Sequence, residues 1–336
     1  MSFDRIKDYD AIRAGAVLGA IDRRAQLAVG GVDRASYLQG LLTNDIQALQ
    51  AGSGCYSAWL TPQGRMISDM HVLQSDTMVL LDVPAALADS LLQRLDQFLF
   101  TEDVQLQSLA DSLTSVWIHG PQSAGVLARV LDGDVGVDTW RAYQHRRVSP
   151  RGDPNAAVVV ARIDQLGVPG FVLYVDPQRR ATLEESLVAA GALRVAAEAV
   201  EAARIEAAYP VFGIDMTDDT IPLEAGIEHR AISFTKGCYV GQEIIIRVLH
   251  RGGGRVARKL VTLSIDGRLP QRGAKLYAAE REIGAITSAA ESPRLGPIAL
   301  GYVHRDFVTP GTPVLVDVNG DRVAASVTER PLPSAA

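Results

Sequence analysis

The sequence predicts an α+β fold with two sandwich units of ferredoxin-like type followed by a small closed or sandwiched β domain. Three observations carry this. Over 26–107 the patterns run strand–helix, then antiparallel strands, then helix–strand. The same order returns over 115–192, and from Val256 onward short strands alternate with turn signals. At 336 residues the chain can bury two or three separate cores.

The elements follow in order. "QLAVGGVD" (26–33) reads as a strand ending at Asp33, which is placed to cap a helix in "RASYLQGLL". Tyr37, Leu38, Leu41 and Leu42 share one face of that helix. "GCYSAWL" (54–60) and "RMISDMHVL" (65–73) read as strands joined by the Pro-Gly turn "TPQG". "TMVLLDV" (77–83) precedes Pro84, which suits the first turn of the helix "AALADSLLQRLDQFLF", and "EDVQLQ" (102–107) closes the unit.

The second unit repeats this order. "SVWIHG" (115–120) leads to a helix opening at Pro121. "AAVVVARI" (156–163) and "GFVLYVD" (170–176) then precede Pro177 and the helix "QRRATLEESLVAAGA". "LLDVPAALADSLLQRL" and "LYVDPQRRATLEESLV" match as strand, proline and amphipathic helix, so the two halves form a structural pseudo-repeat. A helix over 196–209 enters a loop-rich stretch, 210–243. Six short strands follow, with an Asn-Gly turn at 319–320 and a frayed "PLPSAA" tail.

Net charge is −6, so bulk charge does not draw the chain to nucleic acid or an anionic membrane. Cys55 and Cys238, the only cysteines, make neither a disulfide framework nor a metal cluster and fit a reducing compartment. The N-terminus has no secretory h-region and no stretch reads as a membrane span. A soluble cytoplasmic protein is expected.

The block 203–243 concentrates chemistry. It holds Glu206, Asp215, Asp218, Asp219, Glu224 and Glu228 against Arg204, Arg230 and Lys236, with apolar residues interleaved. Its aspartates lack the register of a calcium loop, and no metal site is expected. In "KGCYVGQE" (236–243) the Lys236 ammonium could lower the Cys238 thiol pKa, or Cys238 could be a small buried hydrophobe. "RVLHRGGGRVARK" (247–259) offers Arg247 and Arg251 for an anionic tail or forms a solvated linker. Asp69 lies on a strand among apolar neighbours, with Tyr56 on the adjoining hairpin strand, so a site on one sheet face is expected there.

"KGCYVGQE" with "TIPLEAG" (220–226), "RIEAAYPVFGID" (204–215) and "LQGLLTNDI" (38–46) resembles the YgfZ group of the aminomethyltransferase-like proteins over about residues 15–330. The resemblance implies a fold like the glycine-cleavage T-protein: two interlocked α+β units and a C-terminal β-barrel around a central hole for tetrahydrofolate. The implied boundaries are 1–110 with 196–250 for the folate-binding unit, 111–195 for the second, and 251–330 for the barrel.

Matched onto the T-protein pattern, the resemblance places the catalytic aspartate at Asp69 and the hairpin tyrosine at Tyr56. Glu206, Glu224 and Arg230 take the positions of its other folate-site residues, and Tyr239 and Gln242 join them from the cysteine loop. Glu206 would pair the pterin edge, Tyr56 or Tyr239 would stack on the ring, and Arg247 or Arg251 would take a polyglutamate tail. The T-protein turn asparagine is Thr61 here, and its F-I-G-[KR]-E segment has become Cys238 to Glu243.

These departures imply kept folate binding and leave aminomethyl transfer open. The resemblance puts first an accessory role in assembly or repair of iron–sulfur enzymes, linked to tRNA modification rather than to stand-alone catalysis. Cys238 would act with Lys236 keeping it reactive. The partners would be folate and the iron–sulfur assembly machinery or its clients, with no membrane and no direct nucleic acid. A tetrahydrofolate-dependent one-carbon transferase using Asp69, and a folate-binding scaffold in which Cys238 is structural, are the alternatives.

Overall fold

The computed structural model describes residues 5–250 and 255–331. Arg251 lies outside them. Strands Arg24–Gly30, Ser53–Leu60, Met66–Gln74, Val79–Pro84 and Gln105–Ser108 form one antiparallel sheet, with Arg24–Gly30 between Val79–Pro84 and Gln105–Ser108. Its outer face is covered by the helices Arg34–Leu41 and Ala88–Asp96 through Tyr37, Leu38, Leu41, Leu91 and Leu95. Burying each leucine contributes about 1.5–3 kcal/mol.

Thr114–His119, Gly170–Val175, Val158–Arg162 and His145–Val148 form the antiparallel part of a second sheet, covered by Ser123–Val130 and Arg180–Ala189. Leu73 and Leu80 of the first sheet pack on Trp117, Val172 and Tyr174 of the second, so the sheets meet face to face.

The expected repeat is present. Val79–Pro84 and Gly170–Val175 each lead through a one-turn 3-10 helix (Ala85–Leu87, Pro177–Arg179) into an α-helix. Pro84 thus ends a strand, and the α-helix starts later, at Ala88. Asp33 precedes its helix as expected, but its carboxylate accepts from the Asp103 amide (2.9 Å) instead of capping, because that strand-leading loop lies beside it.

Val17–Leu18 joins the second sheet, antiparallel to Thr114–His119 and parallel to Leu193–Arg194. The helix Arg5–Ala14 packs on Ala197–Glu206 through Ile12, Ala199 and Ala203. This two-residue strand lies between Leu193–Arg194 and Thr114–His119, partners that it finds only in three dimensions.

The last unit is a closed six-stranded barrel, ordered Arg258–Ile265, Gly296–His304, Arg281–Ser292, Lys275–Ala278, Pro313–Val318, Asp321–Thr328. Leu263, Leu276, Ile286, Val303, Val316 and Val327 fill it. Asn319 (φ 58°) and Gly320 (φ 90°) both adopt the left-handed conformation that a two-residue hairpin turn demands, as the Asn-Gly pair signals.

Past the cysteine loop, Gln242–His250 is a helix, although isoleucines are stiff at χ1 and favour strands. Ile245 is fully buried against Tyr56, Met66 and Leu223, and that packing overrides local preference. Among the described residues no helix is long and apolar enough to cross a membrane.

Candidate functional site

Register builds the site on the inner face of the first sheet. Tyr56 lies opposite His71, Ala58 opposite Asp69, His71 opposite Asp82 and Gln26 opposite Asp82. Strand alternation places Tyr56, Asp69, His71, Asp82, Gln26 and Arg24 on one face, turned toward the second sheet. All are buried or nearly so, and each charge needs a partner there.

Arg24 supplies most of them. Its guanidinium donates to Asp22 (3.1 Å), Asp69 Oδ1 (3.3 Å), Asp82 Oδ2 (3.0 Å) and the Asp82 carbonyl (2.6 Å). The Tyr56 hydroxyl donates to Asp69 Oδ2 at 2.7 Å. His71 Nδ1 donates to Asp82 at 2.8 Å, and its Nε2 lies 3.4 Å from the Tyr209 hydroxyl. Burial works to raise the Asp82 pKa, but Arg24, His71 and Gln26 outweigh it and hold the carboxyl below its ordinary value. Asp22 is pushed up, first by burial and then by Asp69 and Asp82, with Arg24 opposing. Tyr56 is raised by burial and by the Asp69 charge.

Aromatic rings wall the cluster. The Arg230 guanidinium lies 4.4 Å from the Tyr56 ring centroid and 4.1 Å from that of Tyr209. His71 is flanked by Tyr143 (6.0 Å) and Trp117 (6.2 Å). A cavity of about 310 Å³ opens over Arg230 and Tyr209, bordered by Gly226, His229 and Arg330. Burial, with the Arg230 charge, lowers Arg330 to about 10.

The site residues expected from sequence fall into separate groups. Tyr56, Asp69 and Arg230 come together. Glu206 does not join them: Oε1 accepts from Ser292 (2.5 Å) and Oε2 from Tyr9 (2.6 Å), Arg13 (2.5 Å) and Arg294 (3.3 Å). It fastens the N-terminal helix and the barrel to Ala197–Glu206, so both carboxylate oxygens already have protein donors. Glu224 accepts from the Ile221 amide and from Arg258 (3.3 Å each), at the start of the short helix Pro222–Ala225. Asp215, in the acidic loop, pairs with the buried Arg204 (2.7 Å) and takes Thr287 and Ser288 (2.6 Å each).

The cysteine loop is anchored by its lysine. Lys236 Nζ donates to three backbone carbonyls, of Gln39 (2.7 Å), Leu42 (2.7 Å) and Asn44 (2.8 Å). It thereby satisfies the C-terminal end of the helix Arg34–Leu41. Burial lowers its ammonium to about 8, with Asp45 and Cys55 opposing. The thiol its charge acts on is Cys55, which burial nonetheless raises to about 12. All three ammonium hydrogens are thus directed at carbonyls.

Cys238 itself is exposed, which removes the reading as a small buried hydrophobe. Its neighbours are anchored. Tyr239 is buried under the Lys236 ammonium (5.2 Å) and raised by burial to about 12, and the Val240 amide donates to Gly40. Gly241 takes φ 85°, where an added Cβ would sit 2.5 Å from the Thr61 carbonyl oxygen, so only glycine fits. Gln242 begins the following helix, and Arg247 is exposed on it.

Arg24, Asp82, Tyr143 and Tyr209 were not singled out from the sequence. For Asp82 and Gln26 the available signal was a polar side chain inside an apolar strand, "LLDV" and "AQLAVG". Among the described residues no group of three or more His, Cys, Asp or Glu could hold a metal ion.

Residues 3–236 match the GCVT N-terminal domain, and residues 258–332 match the glycine cleavage T-protein C-terminal barrel domain. An aminomethyltransferase of a Nostoc species is 29% identical over 337 residues, spanning 97% of this chain and 86% of the relative. One from Streptomyces coelicolor is 29% identical over 338 residues, 97% of this chain and 88% of its own. The crystal structure of glycine cleavage system aminomethyltransferase T from Bartonella henselae superposes with a TM-score of 0.83 at 25% identity, covering 97% of this chain and 89% of that one.

Proposed function

The chain belongs to the glycine-cleavage T-protein family, and from that premise we propose that it binds a reduced folate at the cavity over Arg230 and Tyr209 and handles a one-carbon unit there. The observation that carries the proposal is the Tyr56–Asp69 pair beneath the cavity bordered by Arg230 and Tyr209. Relatives named aminomethyltransferase over nearly the whole chain favour transfer chemistry over a purely structural role.

The residues present suit a folate. Gln26 Oε1, Asp22 Oδ1 and Trp117 Nε1 are buried without a hydrogen-bond partner among the described residues, unused polar capacity on the two inner sheet faces. Tyr56 and Tyr209 offer flat faces, and a cavity near 310 Å³ is at the small end of ligand sites. When bound, a reduced folate supplies the ring nitrogen that carries the one-carbon unit.

This chain's own part is local. Tyr56 holds a proton against Asp69 Oδ2 while Arg24 keeps the other oxygen in place. The aromatic wall excludes water, so a proton moving at Asp69 does so in a medium where charge is strongly felt. Calorimetry with tetrahydrofolate tests the binding, and single-turnover aminomethyl transfer tests the chemistry. No binding, or equal transfer by Asp69→Asn, would overturn the reading.

A second reading is favoured by one feature, the exposed Cys238 displayed between anchored neighbours in a "KGCYVGQE" loop resembling the YgfZ group. It makes the chain a folate-binding accessory to assembly or repair of iron–sulfur enzymes, connected with tRNA modification. Complementation of a strain lacking the group's member decides it. Loss of iron–sulfur enzyme activity with Cys238→Ser supports this role, and full rescue removes it. If both Asp69→Asn and Cys238→Ser act as wild type, a non-catalytic folate scaffold is left.

A further inference from the structure

The imidazole of His71 is buried between two polar neighbours from distant parts of the chain. Asp82 Oδ2, on the adjacent strand, meets Nδ1 at 2.8 Å. The Tyr209 hydroxyl, 138 residues along, meets Nε2 at 3.4 Å. Tyr209 borders the cavity over Arg230, whereas neither His71 nor Asp82 does. The pair reaches the cavity only through that hydroxyl.

Asp82 decides how the imidazole is used. Its carboxylate also accepts from Arg24 Nε (3.0 Å) and the Gln26 amide (2.9 Å), contacts that with His71 outweigh burial and keep it ionised at neutral pH. An ionised carboxylate only accepts, so Nδ1 carries the proton and Nε2 of the neutral ring keeps its lone pair. That lone pair accepts from the Tyr209 hydroxyl. A buried carboxylate that fixes an imidazole, which in turn accepts from a hydroxyl, is an arrangement that orients the hydroxyl.

Two tyrosines thus end on one anchor. Arg24 bonds Asp69, which receives the Tyr56 hydroxyl, and Asp82, which holds His71 and through it Tyr209. The rings of these same tyrosines stand 4.4 Å and 4.1 Å from the Arg230 guanidinium. A tyrosine held at its far end cannot change rotamer without breaking that bond, and the cation over its ring is fixed with it.

We propose that His71 and Asp82 are positioning residues for the cavity: they hold Tyr209 by its hydroxyl and so fix the second aromatic support of Arg230. Because that hydroxyl donates inward, it gives no proton to a ligand. The tether stands on the geometry alone, and its effect on affinity rests on the folate reading.

Long-range proton–nitrogen spectra of the full chain, with histidine labelled, test the tether without a ligand. His71, identified by the signals lost in His71→Phe, should be protonated at Nδ1 and bare at Nε2 at neutral pH. Tyr209→Phe should shift the Nε2 signal and spare Nδ1. The opposite tautomer, an imidazolium, or an Nε2 signal indifferent to Tyr209→Phe overturns the proposal. Calorimetry with tetrahydrofolate tests the effect on affinity. Tyr209→Phe and His71→Phe should each weaken binding about fivefold. The double variant should lose no more than either alone, since both cut one tether. Unchanged affinity, or losses that add, overturns the positioning role. Should His71→Phe misfold, His71→Gln takes its place in both measurements. A wild-type chain that binds no tetrahydrofolate removes the folate reading, and the spectra then judge the tether by themselves.

Discussion

The Tyr56 hydroxyl donates to Asp69 Oδ2 at 2.7 Å from a neighbouring strand, and the face of the same tyrosine ring carries the Arg230 guanidinium at 4.4 Å. One aromatic residue thus joins a buried carboxylate to the cation that borders the cavity. Much of the site's behaviour follows from this stack.

Arg230→Gln removes the cation between the Tyr56 and Tyr209 rings, an interaction of about 1–2 kcal/mol when desolvated. Tetrahydrofolate affinity should fall by about tenfold with the circular dichroism spectrum unchanged. Unaltered affinity would place the ligand elsewhere.

Arg24→Met leaves Asp22, Asp69 and Asp82 buried around a missing countercharge. Removing one partner of a buried ion pair costs about 3–5 kcal/mol. Urea denaturation at neutral pH should register that loss, and mildly acidic buffer should recover part of it as the carboxyls protonate. A loss below about 1 kcal/mol would show that the aspartates do not depend on Arg24.

Lys236→Met should lower stability by about 2–4 kcal/mol, because buried carbonyls at a helix end lose their donor. The difference in stability between wild type and variant also has a pH signature. The folded ammonium titrates at about 8, below its ordinary 10.5, so between those values the unfolded chain binds the extra proton. The wild-type advantage should grow as pH rises from about 8 toward 10.5. Flat difference curves would mean that Lys236 ionises as an exposed lysine does.

His119 is buried and stacked on Trp117 at 5.8 Å, and burial lowers it from 6.5 to about 4. Stability from its neutral form is complete above pH 6.5 and is lost as pH falls toward 4, where the unfolded chain holds a proton the folded chain lacks. His119→Phe keeps a flat ring and should reduce the slope of melting temperature against pH over that window. An unchanged slope assigns acid sensitivity to other groups.

Gly241→Ala puts a Cβ 2.5 Å from the Thr61 carbonyl oxygen at φ 85°. Strain of this kind costs about 1–3 kcal/mol. Chemical denaturation should show it, and the reaction rate of Cys238 with a thiol probe should change as the loop shifts. Wild-type values for both would mean that the loop relaxes freely.

Much of this architecture was legible in the sequence. Asn319-Gly320 announced a tight hairpin, short strands with turn signals announced a closed or sandwiched β domain, and the paired strand–proline–helix segments announced two similar units. Tyr56 and Asp69 could be placed on adjoining hairpin strands because a short turn leaves antiparallel neighbours little choice. Such features depend on local geometry and periodic burial, which adjacent residues encode.

Long-range polar partners have no such period. Lys236 beside a cysteine looked like an activating charge, yet it reaches 192 to 197 residues back to helix-end carbonyls. Glu206 looked ready for a ligand, and its oxygens are taken by Tyr9, Arg13, Ser292 and Arg294. Gln242–His250 carries three consecutive isoleucines and is helical because Ile245 has a core to enter. Local sequence determined which elements form and which faces they bury. Only the tertiary structure decided which charges meet, because a buried charge takes whichever partner the packed elements bring within hydrogen-bond reach.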